Sequence, residues 1–159
     1  MPSTVTVNVS YSQLAIFARA LQQPFNDWTD EHVAQGFAWR PGSVSFRTLV
    51  EAGLHSVEIH VVDHAGTVSA DAVRATEVPF EVPADGEIEV GSISSSIALT
   101  LPPGLFLLRC EFLRPAAGGC ERVRLVFAKK DTPRFAVVRA DESLSVSAEL
   151  LKTANAAPN

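Results

Sequence analysis

The sequence predicts an all-β protein, an antiparallel β-sandwich of about 8 to 9 strands with one or two short helical turns. Two observations support this fold class. Short segments in which apolar and polar residues alternate recur along most of the chain, and clusters of Gly, Pro and Asp separate them. Strands do not alternate with long helices, which argues against a doubly wound sheet. We therefore expect a single sandwich domain over residues 1–150, with the small, polar residues 151–159 forming a frayed tail.

The first strand is predicted at residues 4–11, where every second residue from Val5 to Tyr11 lies on one apolar face. At residues 12–13 the alternation changes phase, which indicates a bulge or a bend into a second strand. The stretch 13–21 also fits a short helix, so the sequence leaves both interpretations open.

Further strands follow at short spacing. They are predicted at 43–50, 55–63, 76–83, 87–93, 96–101, 105–113, 121–128 and 134–140. Pro79 predicts that its strand lies at a sheet edge, because proline cannot donate to a β-ladder. The segment 105–113 is apolar on both faces, which is typical of a central strand.

One segment departs from the β pattern, the sequence TDEHVAQG at residues 29–36. Thr29 can cap a helix through its hydroxyl, which places Asp30 and Glu31 at the positive end of the helix dipole. Gly36 is a typical helix terminator. The pattern predicts one or two helical turns inserted between strands. Capping explains the acidic residues without any function, but it does not explain why two tryptophans flank such a short connection.

The net charge of −5 is unevenly distributed. Residues 1–100 hold 4 Arg and Lys against 12 Asp and Glu, a net −8, while residues 101–159 hold 9 against 6, a net +3. An acidic domain of this kind is unsuited to binding the phosphates of nucleic acid, but it suits a basic protein surface. Simple solubility is the alternative explanation of the charge.

Cys110 and Cys120 lie ten residues apart. The chain shows no secretory signal and no apolar run approaching the ~18 residues of a membrane span, so we expect a cytoplasmic protein. Two reduced thiols are the expected state in that compartment, and a disulfide across a hairpin is the alternative. A structural zinc site is not predicted, because there is no second cysteine cluster.

Candidates for catalysis or metal binding are few. His60, Asp63 and His64 are close in sequence, but side chains alternate along a strand and do not converge there. Residues 94–96 are three serines without a nucleophile elbow or a placed base. We therefore expect a protein that is not an enzyme, with no catalytic residue, no metal site and no cofactor.

Two other functional classes remain open at this point. A calcium- or lipid-binding sandwich module would need loop aspartates gathered at one end, and Asp63, Asp71 and Asp85 are the candidates by loop position. A small β-sandwich enzyme of an unrecognised kind is the other alternative.

The stretches VSYSQLAIF, DWTDEHVAQGFAW and GSVSF, in that order, resemble the bacterial competence protein J family. The resemblance covers most of residues 7–113, and its most specific parts are Tyr11 and the sequence from Asp27 to Thr29. The later strands are similar too, but such strands are common in small β-sandwiches. Residues 114–159 carry no motif that matches the family.

The family's known member inhibits the DNA-entry nuclease of competent cells, so the resemblance implies an inhibitor that binds a nuclease directly and does not itself bind nucleic acid. A non-specific nuclease presents a basic groove to phosphates, and carboxylates can occupy that groove. On this hypothesis Asp27, Asp30 and Glu31 mimic phosphates, and Trp28 is the packing anchor. The alternative is that the acids only cap the helix and that the tryptophan belongs to the core.

Overall fold

A computed structural model describes residues 2–115 and 119–158 of the chain. Within these residues the chain forms eleven strands and one short helix. In chain order they are β1 (Ser3–Val9), β2 (Gln13–Ala18), α1 (Asp30–Gln35), β3 (Phe37–Arg40), β4 (Ser43–Arg47), β5 (Gly53–Val62), β6 (Ala72–Val82), β7 (Glu87–Gly91), β8 (Ser96–Thr100), β9 (Gly104–Leu113), β10 (Glu121–Lys129) and β11 (Ala136–Arg139).

The strands form two sheets, which confirms the all-β sandwich class. One sheet has six strands in the order β1-β5-β10-β9-β6-β11, and the other has five in the order β3-β4-β2-β7-β8. The core lies between them and is built from alternate residues of both sheets. Its fully buried large side chains include Leu14, Ile16, Phe37, Phe46, Phe80, Phe106, Leu108, Leu125 and Phe127. Burial of each such side chain contributes about 1.5–3 kcal/mol.

The expectation of a purely antiparallel arrangement is wrong at one pair. Strands β5 and β10 are parallel, with His55 opposite Glu121. The reason is the connection 63–71, which crosses the outer face of the six-stranded sheet and leaves room for β10 and β9 between β5 and β6. Buried Arg109 holds this crossover, because its guanidinium donates to the carbonyl oxygens of residues 65–67 at 2.8–3.2 Å and to Glu111 at 2.8 Å.

Pro79 was predicted to mark an edge strand, and this is wrong for β6 as a whole, because β6 lies between β9 and β11. The physical reason given for the proline nevertheless applies locally, because Pro79 lies where one side of β6 has no ladder partner among the described residues. The ladder with β11 ends where Glu77 meets Ala136, so Pro79 lies beyond it on that side. The missing N–H of Pro79 therefore leaves no ladder bond unmade. Its carbonyl oxygen accepts a hydrogen bond of 2.7 Å from Trp39 Nε1, which joins the two sheets.

The phase change at residues 12–13 is a turn that carries the chain from one sheet to the other. Gln13 N donates to Ser10 O at 3.2 Å across a two-residue turn, and β2 follows as a strand. The alternative of a helix over 13–21 is therefore wrong. Tyr11 leaves the apolar face that alternation predicts for it, because its backbone turns into the left-handed region and points the side chain to solvent.

No helix in the described part of the chain has the length and apolar character to span a bilayer. Both cysteines are free thiols, Cys110 in the core and Cys120 at the surface, which agrees with the reduced state expected from the sequence. Burial raises the pKa of the Cys110 thiol well above its usual range.

Candidate partner-binding surface

Helix α1 is held by caps at both ends. The Thr29 backbone is extended (φ −95°, ψ 173°), and its hydroxyl accepts from the N–H of His32 at 3.4 Å. The His32 ring completes the capping box, because Nδ1 accepts from the Thr29 N–H at 2.9 Å. At the other end Gly36 has φ 89° and donates to His32 O at 2.8 Å. The predicted cap and terminator are confirmed, whereas the role of His32 was missed because glutamate or glutamine usually occupies that position.

The predicted acidic residues lie together at the start of this helix. Asp27, Asp30 and Glu31 are exposed, and none of them forms a salt bridge with another described residue. Three carboxylates within five positions therefore face solvent on a short segment whose backbone is fixed by its caps. We call residues 27–31 the acidic turn.

Trp28 is half-buried and packs edge-to-face on the His32 ring, with the ring centroids 6.2 Å apart. The other tryptophan has a different role, since Trp39 packs edge-to-face on Phe135 with centroids 5.0 Å apart. Phe37 is fully buried in the core beside the same phenylalanine. Trp28 is thus the tryptophan of the acidic turn, and Trp39 belongs to the contact between the sheets.

Trp28 also lines a cleft of 290 Å³. We call it the Tyr11 cleft, and it is lined by Tyr11, Ser12, Gln13, Trp28, Val33 and Arg47. Two polar atoms of the lining residues, Gln13 Oε1 and Trp28 Nε1, are buried without a hydrogen-bond partner among the described residues. The turn between β1 and β2, the acidic turn, α1 and the end of β4 all contribute, so the cleft depends on the pairing of β2 with β4, which places Gln13 opposite Arg47.

Arg47 binds the C-terminal end of α1, which borders this cleft. Its Nη1 donates to Val33 O and to Ser143 O, both at 3.1 Å, and its backbone N–H donates to Gly36 O at 2.8 Å. The last carbonyl oxygens of a helix lack intrahelical partners, and a cation at that end also interacts favourably with the helix dipole. Arg47 therefore joins α1 to β4 and to the C-terminal part of the chain.

Residues 143–157, here called the C-terminal segment, lie along the acidic turn and α1. Gln35 is buried, accepts from Leu151 N at 2.8 Å and donates to Leu151 O at 2.9 Å. Two backbone bonds of 2.8 Å follow, from Asp27 N to Asn155 O and from Ala157 N to Phe25 O.

These contacts differ from the frayed tail that the sequence predicts for 151–159. The small, polar composition of the tail gave no sign of them, because they are made by its backbone groups. A backbone group that finds partners on a neighbouring element can be fixed without any apolar side-chain pattern.

His32 joins the acidic turn to the C-terminal segment through hydrogen bonds to both. Its Nδ1 accepts from Thr29, so the ring proton lies on Nε2, which donates to Thr153 O at 2.9 Å. The ring is almost fully buried. A neutral imidazole with this tautomer satisfies both neighbours, and the histidine has a structural explanation that requires no catalysis.

The residues considered for metal binding or catalysis have separate neighbours. The His60 ring donates to a carboxylate oxygen of Glu58 at 3.0 Å, and His64 is exposed. Asp63 and Asp71 pair loosely with Lys129 and Arg122, at 3.8 and 3.9 Å. Asp85 accepts from the backbone N–H of Glu87 at 2.9 Å. Within residues 2–115 and 119–158, no three His, Cys, Asp or Glu side chains are grouped as metal ligands would be.

Comparisons with known proteins agree on one family. The sequence model of the competence protein J family (ComJ) matches residues 6–128. A DNA-entry nuclease inhibitor of Bacillus subtilis (strain 168) is 30% identical over 105 residues, which are 65% of this chain and 76% of that protein. The crystal structure of ComJ, the inhibitor of the DNA degrading activity of NucA from Bacillus subtilis, superposes with a TM-score of 0.70 at 21% identity, covering 80% of this chain and 96% of that one.

The matched span divides the surface described above into two parts. The acidic turn and all residues of the Tyr11 cleft lie within residues 6–128, whereas the C-terminal segment lies outside them. The contacts between the C-terminal segment and the turn thus join a part of the chain that the family shares to a part that the family match does not cover.

Proposed function

The chain belongs to the competence protein J family, and from this premise we propose that it inhibits a DNA-entry-type nuclease by binding it directly. The relatives found by sequence and by structure are nuclease inhibitors, not enzymes. We propose likewise that this chain has no catalytic activity of its own. The observation that carries the proposal is the acidic turn, a fixed and exposed group of carboxylates inside the span that the family shares.

The proposed contact surface consists of Asp27, Trp28, Asp30 and Glu31. A nuclease that cleaves DNA without sequence preference must attract phosphates, so its active groove carries basic side chains. Carboxylates held at fixed positions complement such a groove and exclude DNA by occupying it. The caps of α1 keep the turn ordered before binding, which lowers the entropic cost of association.

The carboxylates should act mainly on the rate of association. Exposed charges steer two proteins together over distances comparable to the Debye length, which is about 8 Å at physiological salt. We therefore expect association to slow as salt increases, while dissociation changes less.

The test is the double variant Asp30→Ala with Glu31→Ala, assayed against NucA of Bacillus subtilis and against any NucA-type nuclease that the source genome of this chain encodes. The fold should lose about 1 kcal/mol or less, from the helix-dipole contribution. Inhibition should weaken about tenfold or more, because ~1.4 kcal/mol of lost contact is enough for that.

A matched control removes the same charge elsewhere. Glu81 and Asp131 are exposed and lie beside Leu105, at the beginning of β9. Replacing both by alanine should leave inhibition close to that of the parent, because exposed charges outside the contact act only through a field that salt screens. If the Asp30 and Glu31 variant inhibits as well as the parent, the two acids are only caps. If the parent binds neither nuclease, the proposed function itself is wrong.

A further inference from the structure

We infer that the Tyr11 cleft is a second part of the inhibitory surface, and that it receives an apolar or aromatic side chain of the nuclease. The inference rests on the proposed function, which supplies the partner, but it concerns residues that the acidic turn does not include. Three features of the cleft support it: backbone strain, exposure of large apolar side chains, and the charges that border it.

Backbone strain is concentrated at the cleft's rim. Tyr11 and Ser12 have φ values of 55° and 58°, and they are the only non-glycine residues with positive φ among those described. Such a turn favours Asn-Gly, and a bulky residue in the left-handed region costs about 1 kcal/mol or more. Hydrogen bonds from Ser12 N to Glu51 O at 2.8 Å and from Thr48 N to Ser12 O at 2.9 Å hold it there. The turn alone gives no reason for a tyrosine.

Large apolar side chains are exposed at the same place. Tyr11 is 71% exposed, the highest value among the exposed large hydrophobic residues, and Val33 is 41% exposed on α1. Trp28 lines the same cleft. Tyrosine and tryptophan are the residue types that most often dominate binding energy at protein interfaces, because they bury a large area at little entropic cost.

The walls of the cleft and the charges around it define what kind of group enters. Tyr11 and Trp28 contribute aromatic side chains and Val33 an aliphatic one. Arg47 donates through Nη1 to two carbonyl oxygens, and its positive charge repels a cationic side chain. The carboxylates of the acidic turn repel an anionic one. An apolar or aromatic side chain therefore suits the cleft better than a charged one.

The charge beside the cleft identifies the partner that carries this side chain. Asp30 and Glu31 stand on the first turn of α1, and Val33 follows on the same six-residue helix. Residues three apart share a face of a helix, so a protein that covers Asp30 with a basic surface also covers Val33 at the cleft. All residues of the cleft lie within the span matched by the family, so the nuclease, and not a partner peculiar to this chain, is the occupant.

The two parts of the surface should differ in their kinetic effect. Exposed carboxylates mainly raise the association rate and lose effect with salt. A side chain inserted in an apolar cleft mainly slows dissociation, and salt changes this little. The cleft is therefore distinguishable from the acidic turn by the rate constant that each variant changes.

The experiment measures both rate constants by surface plasmon resonance at two salt concentrations. The full chain is tested for binding to NucA of Bacillus subtilis and to any NucA-type nuclease that the source genome encodes. The first variant is Tyr11→Gly, which removes the side chain and also suits the positive φ. Its melting temperature should not fall below that of the parent. Dissociation should become about tenfold faster or more, at either salt concentration.

A matched pair of valines provides the second variant and its control. Val33→Thr keeps the shape of the side chain and makes it polar, and dissociation should become about threefold faster. Val138 on β11 is 46% exposed and lies outside the matched span. Val138→Thr makes the same change there and should leave both rate constants unaltered.

The outcomes separate the two proposals. If neither nuclease binds the parent, the proposed function is wrong and the inference falls with it. If the parent binds and the acidic-turn variant slows association, but Tyr11→Gly dissociates like the parent, then the function stands and the cleft is not part of the surface. Equal effects of Val33→Thr and Val138→Thr would also overturn the inference, since the effect would then not be specific to the cleft.

Discussion

Gln35 should stabilise the protein mainly through the C-terminal segment. Its carboxamide makes three hydrogen bonds of 2.8–2.9 Å, two with Leu151 and one with Phe37 O. Each is worth about 1 kcal/mol net, so Gln35→Ala should lower the free energy of unfolding by about 3 kcal/mol. If the chain ends at Leu150, only the bond to Phe37 remains, and the same substitution should cost about 1 kcal/mol.

The assay is a double-mutant cycle in urea. The four proteins are the parent, Gln35→Ala, the chain 1–150, and the two changes combined. The difference between the two costs of Gln35→Ala gives a coupling free energy, expected to be about 2 kcal/mol. Gln22→Ala is the control, because Gln22 is exposed and its side chain makes no hydrogen bond with a described residue, so its cost should be equal in both backgrounds.

Equal costs of Gln35→Ala in the full and shortened chains, within about 0.5 kcal/mol, would refute the reasoning. Gln35 would then act only on the end of α1, and residues 151–157 would contribute nothing to holding the helix. A coupling of the expected size would instead show that the C-terminal segment holds α1 in place, and with it the acidic turn and Val33.

Two more predictions concern buried groups. Arg74→Ala should lower the free energy of unfolding by about 3 kcal/mol in urea, because this buried guanidinium donates to both oxygens of Asp141, and its loss leaves a partly buried carboxylate unpaired. Arg19→Ala, which breaks an exposed pair, should cost less than about 1 kcal/mol, and similar costs would contradict this account. A thiol reagent should modify Cys120 quickly and Cys110 only after unfolding, since burial raises the pKa of the Cys110 thiol and keeps it from reagent. Mass spectrometry that finds Cys110 modified in the native protein would refute this.

The parts of the fold that could be predicted are those encoded over a few consecutive residues. Alternation marks most of the strands, and Thr29 and Gly36 mark the two ends of α1. The parallel pairing of β5 with β10 could not be predicted, because it depends on where the crossover 63–71 leads the chain. Strand pairing between distant segments leaves no local pattern in either of them.

The geometry of the candidate surface could be predicted in part for the same reason. The sequence brings Asp27, Trp28, Asp30 and Glu31 together because they are consecutive or nearly so, and the structure places them on one exposed turn. Tyr11 was assigned to an apolar strand face, because alternation cannot reveal that the backbone enters the left-handed region there. Tyr11 and Trp28 line one cleft only after β2 has paired with β4, and that pairing joins segments distant in sequence.

The contacts of Asp27 bear on whether the acidic turn is charged for the stability of the fold or for binding a partner. Asp30 and Glu31 lie in the first turn of α1, where the helix dipole stabilises each by about 0.3–1 kcal/mol, so stability alone could retain them. Asp27 precedes the cap residue Thr29. Its backbone N–H binds Asn155 O, but its carboxylate makes no hydrogen bond or salt bridge with a described residue.

An uncharged side chain would serve the fold equally well at position 27, because only the backbone of Asp27 takes part in the contacts described. A carboxylate there adds repulsion to two neighbouring carboxylates and brings no compensating bond. That arrangement is unfavourable for the isolated protein and becomes favourable when a basic surface approaches. Asp27 therefore supports the proposal that the turn is charged for a partner, and not for the stability of its own helix.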